Sequence, residues 1–147
     1  MGLDMYLNKR RFLWTDERKS EDILALSKKY GNGAEVTQIE FEAGYWRKAN
    51  QIHKWFVDNV QGGEDDCKDY YVTREQLTDL LDTVNKVLAN HDLAEELLPS
   101  QDGFFFGGTD YDEWYFKDLE QTKEILDKIL IVPADEDKGD YYYTASW

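Results

Sequence analysis

The sequence is poor in the residues that staple, kink or metallate a chain. Its one cysteine, Cys67, excludes an internal disulfide and fits a reducing compartment. Two histidines, His53 and His91, are too few for a structural zinc site of the Cys/His type within one chain. Two prolines, Pro99 and Pro133, mark no linker, and no repeat or low-complexity tract divides the chain. We read residues 1–147 as a single domain. No apolar run approaches the roughly 20 residues that a membrane helix needs. The opening Met-Gly-Leu-Asp-Met-Tyr has neither a basic nor an apolar signal region. The expectation is a cytoplasmic protein with no membrane partner, no metal and no cofactor.

Positive charge is scarce, and unevenly so. Net charge is −14. Residues 1–60 are nearly balanced, with ten Lys and Arg against nine Asp and Glu, whereas residues 61–147 carry seven against twenty-two, leaving −15. That half would set carboxylate against phosphate, which excludes free nucleic acid as its ligand. A basic protein surface suits it better, although acidity also serves plain solubility.

What the chain does have is aromatic side chains, 15% of residues, and a periodic apolar pattern. Leu3, Met5 and Leu7 alternate with Asp4, Tyr6 and Asn8, the pattern of a half-buried strand over 2–8. Lys9-Arg10-Arg11 follows as a basic patch. Ser20, Glu21 and Asp22 open a helix that Lys28, Lys29 and Gly31 close. Val36–Phe41 reads as a second strand, with Thr37, Ile39 and Phe41 on one face.

Over 45–60, Tyr45, Trp46, Ala49, Ile52, His53, Phe56, Val57 and Val60 share one side of a helical wheel. Arg47, Gln51, Lys54 and Asp58 fill the other side, and Gly62-Gly63 ends the segment. Thr73-Arg-Glu-Gln76 is a capping box ahead of a third helix. Its apolar stripe is Leu77, Leu80, Leu81, Val84 and Leu88.

Gly103-Phe-Phe-Phe-Gly107 reads as a short buried strand. Thr109-Asp-Tyr-Asp112 opens a fourth helix over 110–131, with Tyr111, Trp114, Tyr115, Leu119, Thr122, Leu126 and Ile129 inward. Glu113–Lys117 and Glu124–Lys128 are spaced as ion pairs. The tail, 140–147, is β-prone. The fold class is therefore α+β, a small mixed or antiparallel sheet of about four short strands packed with four helices.

Chemistry-bearing residues are few. His53 lies amid aromatics on a core stripe, where a histidine either acts as a base or is simply packed. Cys67 stands among Glu64, Asp65, Asp66 and Asp69, which blunt a thiolate. The run Asp135-Glu136-Asp137 lacks the spacing of a calcium loop, and Gly103-x-x-x-Gly107-Gly108 lacks the lysine of a P-loop. The acidic-aromatic run Asp110–Tyr115 suits a surface that faces Arg or Lys, through charge pairing and cation–π contact. Helix capping and core packing account for the same residues.

Three strings, Gly2-Leu-Asp-Met-Tyr-Leu7, Tyr45-Trp-Arg-Lys-Ala-Asn-Gln-Ile-His-Lys-Trp-Phe-Val57 and Gly103-Phe-Phe-Phe-Gly-Gly-Thr-Asp-Tyr-Asp-Glu-Trp-Tyr115, together resemble a family of small acidic proteins from bacteriophages and mobile elements. That family has no assigned active site, so no site residue carries over. What the resemblance implies is context: accessory proteins that block host defence systems, CRISPR nucleases among them.

The leading expectation is a non-enzymatic inhibitor that lays an acidic surface into the basic, nucleic-acid-binding groove of a host defence protein. Asp65, Asp66, Asp110, Asp112, Glu113, Asp135, Glu136 and Asp137 are its expected contacts. The alternative is a pocket that sequesters or processes an anionic small ligand of the nucleotide class, lined by Trp46, Arg47, Lys48, His53 and Trp114. Self-association through exposed aromatics, Trp147 among them, is the third reading.

Overall fold

The computed structural model describes residues 2–147. Its centre is a four-stranded antiparallel sheet in the order β2 (Gln38–Arg47), β1 (Asp4–Phe12), β4 (Asp140–Ser146) and β3 (Tyr70–Val72). β1 (Asp4–Phe12) keeps the expected alternation: Met5 and Leu7 point inward, continuing from Leu3, and Tyr6 and Asn8 point outward. β4 (Asp140–Ser146) lies beside it, with Met5 opposite Ala145 and Leu7 opposite Tyr143. The β-prone tail thus fills an inner position of the sheet. The α+β class and the four-stranded sheet hold, but among the described residues five α-helices pack with the sheet rather than four, the extra one being a single turn at Ala94–Leu97.

α1 (Glu21–Tyr30) ends at Gly31 as its ends predict. The next boundary differs. β2 runs Gln38–Arg47 and α2 starts only at Asn50, ending at Asn59. Tyr45 and Trp46 belong to the strand, opposite Tyr6 and Met5. Their spacing to Ala49 and Ile52 imitates a helical stripe because a strand residue and a helix residue feed the same core. A bulge makes Ala43 the extra residue, since Leu7 faces Gly44 and Asn8 faces Glu42. Gly44 lets the helix that carries Ile125 approach: a Cβ there would stand 2.7 Å from Ile125 Cγ2.

β3 (Tyr70–Val72) has no periodic signal in the sequence, because three residues carry no period. It takes the place of the expected strand at 103–107. That segment turns instead: the Phe106 amide donates to the Gly103 carbonyl at 3.1 Å, and the Leu3 amide to the Phe105 carbonyl at 3.0 Å. Phe106 is buried, whereas Phe104 is 95% exposed.

α3 (Arg74–Ala89) opens on the predicted capping box, Thr73 with Gln76. A short helix, α4 (Ala94–Leu97), follows. α5 (Glu113–Leu130) starts later than the pattern suggests, because the Asp112 carboxylate accepts the amides of Trp114 and Tyr115, both at 3.1 Å. Tyr111 and Trp114 therefore lie outside the core. The expected Glu–Lys pairs of this helix are replaced by Lys123–Asp127 at 2.8 Å and by Lys117 stacked over Trp114.

The inward side of the sheet packs on Ile52 and Phe56 of α2, Leu77, Leu80 and Val84 of α3, and Leu119 and Leu126 of α5 in one cluster. Phe56 stacks on Tyr143 with ring centres 3.9 Å apart.

Candidate functional site

The β2–α2 turn and the loop before α5 face each other across a cleft of about 370 Å³. Arg47, Lys48, Asn50 and Gln51 form one wall, and Gly107, Gly108, Asp110 and Asp112 the other. Trp114, Tyr115 and Asp118 close it.

The turn is tight. Lys48 has φ +57° and its amide donates to the Leu3 carbonyl at 2.8 Å. Gly107, at φ +83°, lies against it, where a Cβ would stand 3.2 Å from Lys48 Cβ. Positive φ at both positions lets the two walls meet.

Asn50 ties them together. Its Nδ2 donates to the carbonyls of Phe106 (3.0 Å) and Gly108 (2.8 Å), and its Oδ1 accepts the Gln101 amide at 3.0 Å. Gln51 Nε2 donates to the Tyr115 carbonyl at 3.2 Å and to Asp118 Oδ2 at 3.3 Å. Both side chains are buried, so the cleft floor is fixed in advance of any ligand.

Charge in the cleft is divided. Arg47 Nη1 donates to Asp4 Oδ1 at 3.0 Å, and the Tyr45 hydroxyl donates to the same oxygen at 2.6 Å. The Tyr45 bond, aided by Arg47, holds the Asp4 carboxyl below its usual range. At the other end, burial pushes the Asp118 carboxyl up to about 6; the Gln51 bond opposes that rise and the Asp112 charge adds to it. Trp114 is 65% exposed, with Lys117 Nζ 4.4 Å from its ring centre.

Of the residues expected to line a pocket, Arg47, Lys48 and Trp114 converge here. Trp46 and His53 do not. Trp46 is fully buried within β2 and donates Nε1–H to Thr122 Oγ1 at 2.9 Å. His53 is 0% exposed. Its Nδ1 meets the Tyr143 hydroxyl at 2.7 Å and its Nε2 meets Asp65 Oδ2 at 3.0 Å. A ring with both nitrogens engaged and no exposure belongs to the core, which corrects its place in a ligand pocket.

The acidic contacts also divide. Asp110 and Asp112 line the cleft and Glu113 stands exposed on the first turn of α5. Asp135 and Glu136 are exposed in the turn after Pro133. Asp65 is occupied internally, by His53 and by the Trp147 indole N–H at 3.1 Å. Asp66 accepts the Tyr70 hydroxyl at 2.7 Å, which lifts the Tyr70 hydroxyl to about 12.

Asp137 is a strut rather than a contact. Its side chain is 3% exposed and ion-pairs with Lys9 and with Arg74 Nη1 at 2.6 Å, while Tyr141 donates to it at 2.8 Å. Burial pushes its carboxyl up, but bonds from Lys9 and Tyr141 outweigh that and leave it below the usual value. Asp137 bonds the start of β4 and Asp65 bonds Trp147 just past its end. The predicted acids therefore do not gather on one patch.

No protein-family model, curated protein or solved structure matches this chain. Among the described residues, no group of three or more His, Cys, Asp or Glu side chains is placed to hold a metal ion, and no helix is long and apolar enough to cross a membrane.

Sequence reasoning missed Asn50, Gln51 and Asp118 as site residues. Gln51 fell on the polar side of a wheel drawn five residues too early, and α5 packs over that side. Asp118 had a usable signal: it is a lone acid one turn before Thr122 on the inward stripe of its helix.

Proposed function

We propose that this protein is a non-enzymatic, phage-type accessory protein that binds a basic surface on a host defence protein through the acidic-aromatic end of its cleft. The observation that carries the reading is the convergence of Asp110, Asp112, Asp118 and the exposed Trp114 at one cleft. Trp114 already holds one ammonium over its ring, so its chemistry suits an incoming Arg or Lys. Beyond the cleft, exposed Glu113, Glu120 and Glu124 carry negative charge along α5. Complementary charge of this kind sets encounter rate and partner choice more than raw affinity.

The test is affinity capture from a lysate of a CRISPR-bearing host at two salt concentrations, with Asp110→Lys/Glu113→Lys and Trp114→Ala variants beside the wild type. The expected result is a nucleic-acid-binding effector that is retained at low salt, weakens as salt rises and is lost in both variants. Capture that is unchanged in the variants would sink the proposal.

A second reading rests on the opposite wall. Arg47, Lys48 and Trp114 together suit an anionic small ligand, to be sequestered or processed. A small anion released when the purified protein is denatured, and absent from an Arg47→Ala/Lys48→Ala preparation, would shift the assignment to this reading.

A further inference from the structure

A second concavity, at the other end of β1, brings three cations, Arg10, Arg11 and Lys138, beside two acids, Glu17 and Asp140. It also encloses about 370 Å³. Arg10, Arg11 and Phe12 from the end of β1, Trp14 and Glu17 from the turn after it, and the 138–140 segment before β4 line it.

The site is built rather than incidental. Glu17 holds two of its walls: Oε1 accepts Arg11 Nη2 at 2.6 Å and Oε2 accepts the Trp14 amide at 2.8 Å. The Trp14 amide bond, then Arg11, keeps the Glu17 carboxyl below its usual range. Arg11 also donates to the Phe12 carbonyl at 3.1 Å, so its guanidinium is oriented in advance. Arg10 is fixed by Glu40 at 2.8 Å and by Asp69, with its guanidinium 4.3 Å above the Tyr142 ring.

The third wall depends on a glycine. Gly139 has φ +118°, and a Cβ there would come within 2.8 Å of the Arg10 carbonyl oxygen. Only glycine lets Lys138 and Asp140 approach β1 this closely. Lys138 is exposed and faces Glu17 through space.

At the rim stands Trp14, 70% exposed, braced edge-on by Phe12 at 5.2 Å. The Arg18 guanidinium lies 5.1 Å from the Phe12 ring centre. An exposed indole beside preset guanidiniums and an exposed lysine suits a ligand with a flat ring and an anionic group.

From this juxtaposition we infer that the concavity is a nucleoside-phosphate site: the base stacks on Trp14 and the phosphate meets Lys138 and Arg11. Size and charge favour a mononucleotide over nucleic acid. A polynucleotide spans many Debye lengths of about 8 Å and meets the field of a −14 protein. A mononucleotide is small enough to set its phosphate against Lys138 and Arg11 alone.

The site shares no lining residue with the Arg47–Trp114 cleft, so the two proposals stand or fall separately. The probes are the four ribonucleoside 5′-monophosphates, with adenosine and inorganic phosphate as half-ligands, titrated by calorimetry and by tryptophan quenching. At least one mononucleotide should bind, with each half-ligand weaker by about tenfold or more. Trp14→Ala should weaken that binding by about tenfold or more, as loss of a stacking platform does, and Lys138→Glu should abolish it. Both residues are exposed, so the variants keep the fold, which far-UV circular dichroism confirms. Trp114→Ala should change nothing. The inference is overturned if no mononucleotide binds at millimolar concentration, if binding survives both Trp14→Ala and Lys138→Glu, or if it is lost in Trp114→Ala.

Discussion

Replacing Asp118 with asparagine should stabilise the protein at neutral pH and do almost nothing in acid. The carboxyl is half-buried on α5, with Gln51 as its hydrogen-bond partner and Asp112 as a like charge nearby. Its folded-state value is about 6, against 3.8 for the ordinary group. Between those values the folded state holds a proton that the unfolded chain has released. Stability therefore falls as pH rises from the lower value through the upper one, and then levels off. Two units correspond to about 3 kcal/mol, and partial exposure to water reduces that to about 2 kcal/mol.

Asparagine keeps the oxygen that faces Gln51 and carries no charge. The variant should match the wild type near pH 4 and exceed it by about 2 kcal/mol at pH 7. Urea titrations followed by tryptophan fluorescence, repeated from about pH 4 to pH 8, give the comparison. At about 2 kcal/mol per molar urea, the midpoint gap should open to about 1 M. A gap that stays constant with pH, or a variant less stable at neutral pH, would refute the reasoning. A stabilising substitution at a cleft residue would also mark Asp118 as kept for binding rather than for folding.

Two further outcomes follow from the same geometry. Asp137→Asn removes the charge shared by Lys9 and Arg74 and should cost about 3 kcal/mol in urea denaturation, because a buried pair is broken from one side. Its folded value is depressed, so that loss should be full above the ordinary aspartate value and disappear only as pH falls through the lower folded one, while the exposed Asp135→Asn should change stability by less than about 0.5 kcal/mol. Gly107→Ala should cost about 1–3 kcal/mol from its positive φ and its contact with Lys48, read as a lower melting temperature, and Lys48→Gly should recover part of it in the double variant.

Local chemistry settled much of the architecture. Period-two alternation at Leu3, Met5 and Leu7 needs no partner to be recognised as a strand. The Thr73–Gln76 box opens α3 because its hydrogen bonds are contained within four residues. The acidic balance and the lone cysteine are properties of composition alone.

Other features depended on contacts distant in sequence. Trp46 is a strand residue because Met5 lies opposite it, and nothing within the 45–60 segment separates a strand-then-helix from one longer helix. His53 is sealed by Tyr143 and Asp65, one of them 90 residues away. Asp137 and Asp110 look alike in sequence. One is buried against two cations and the other lines an open cleft, because β1 and α3 happen to bring Lys9 and Arg74 to the first. Burial and charge pairing are pairwise properties of the fold, so the sequence determined which residues carry charge, and only the tertiary structure decided which charges face a partner.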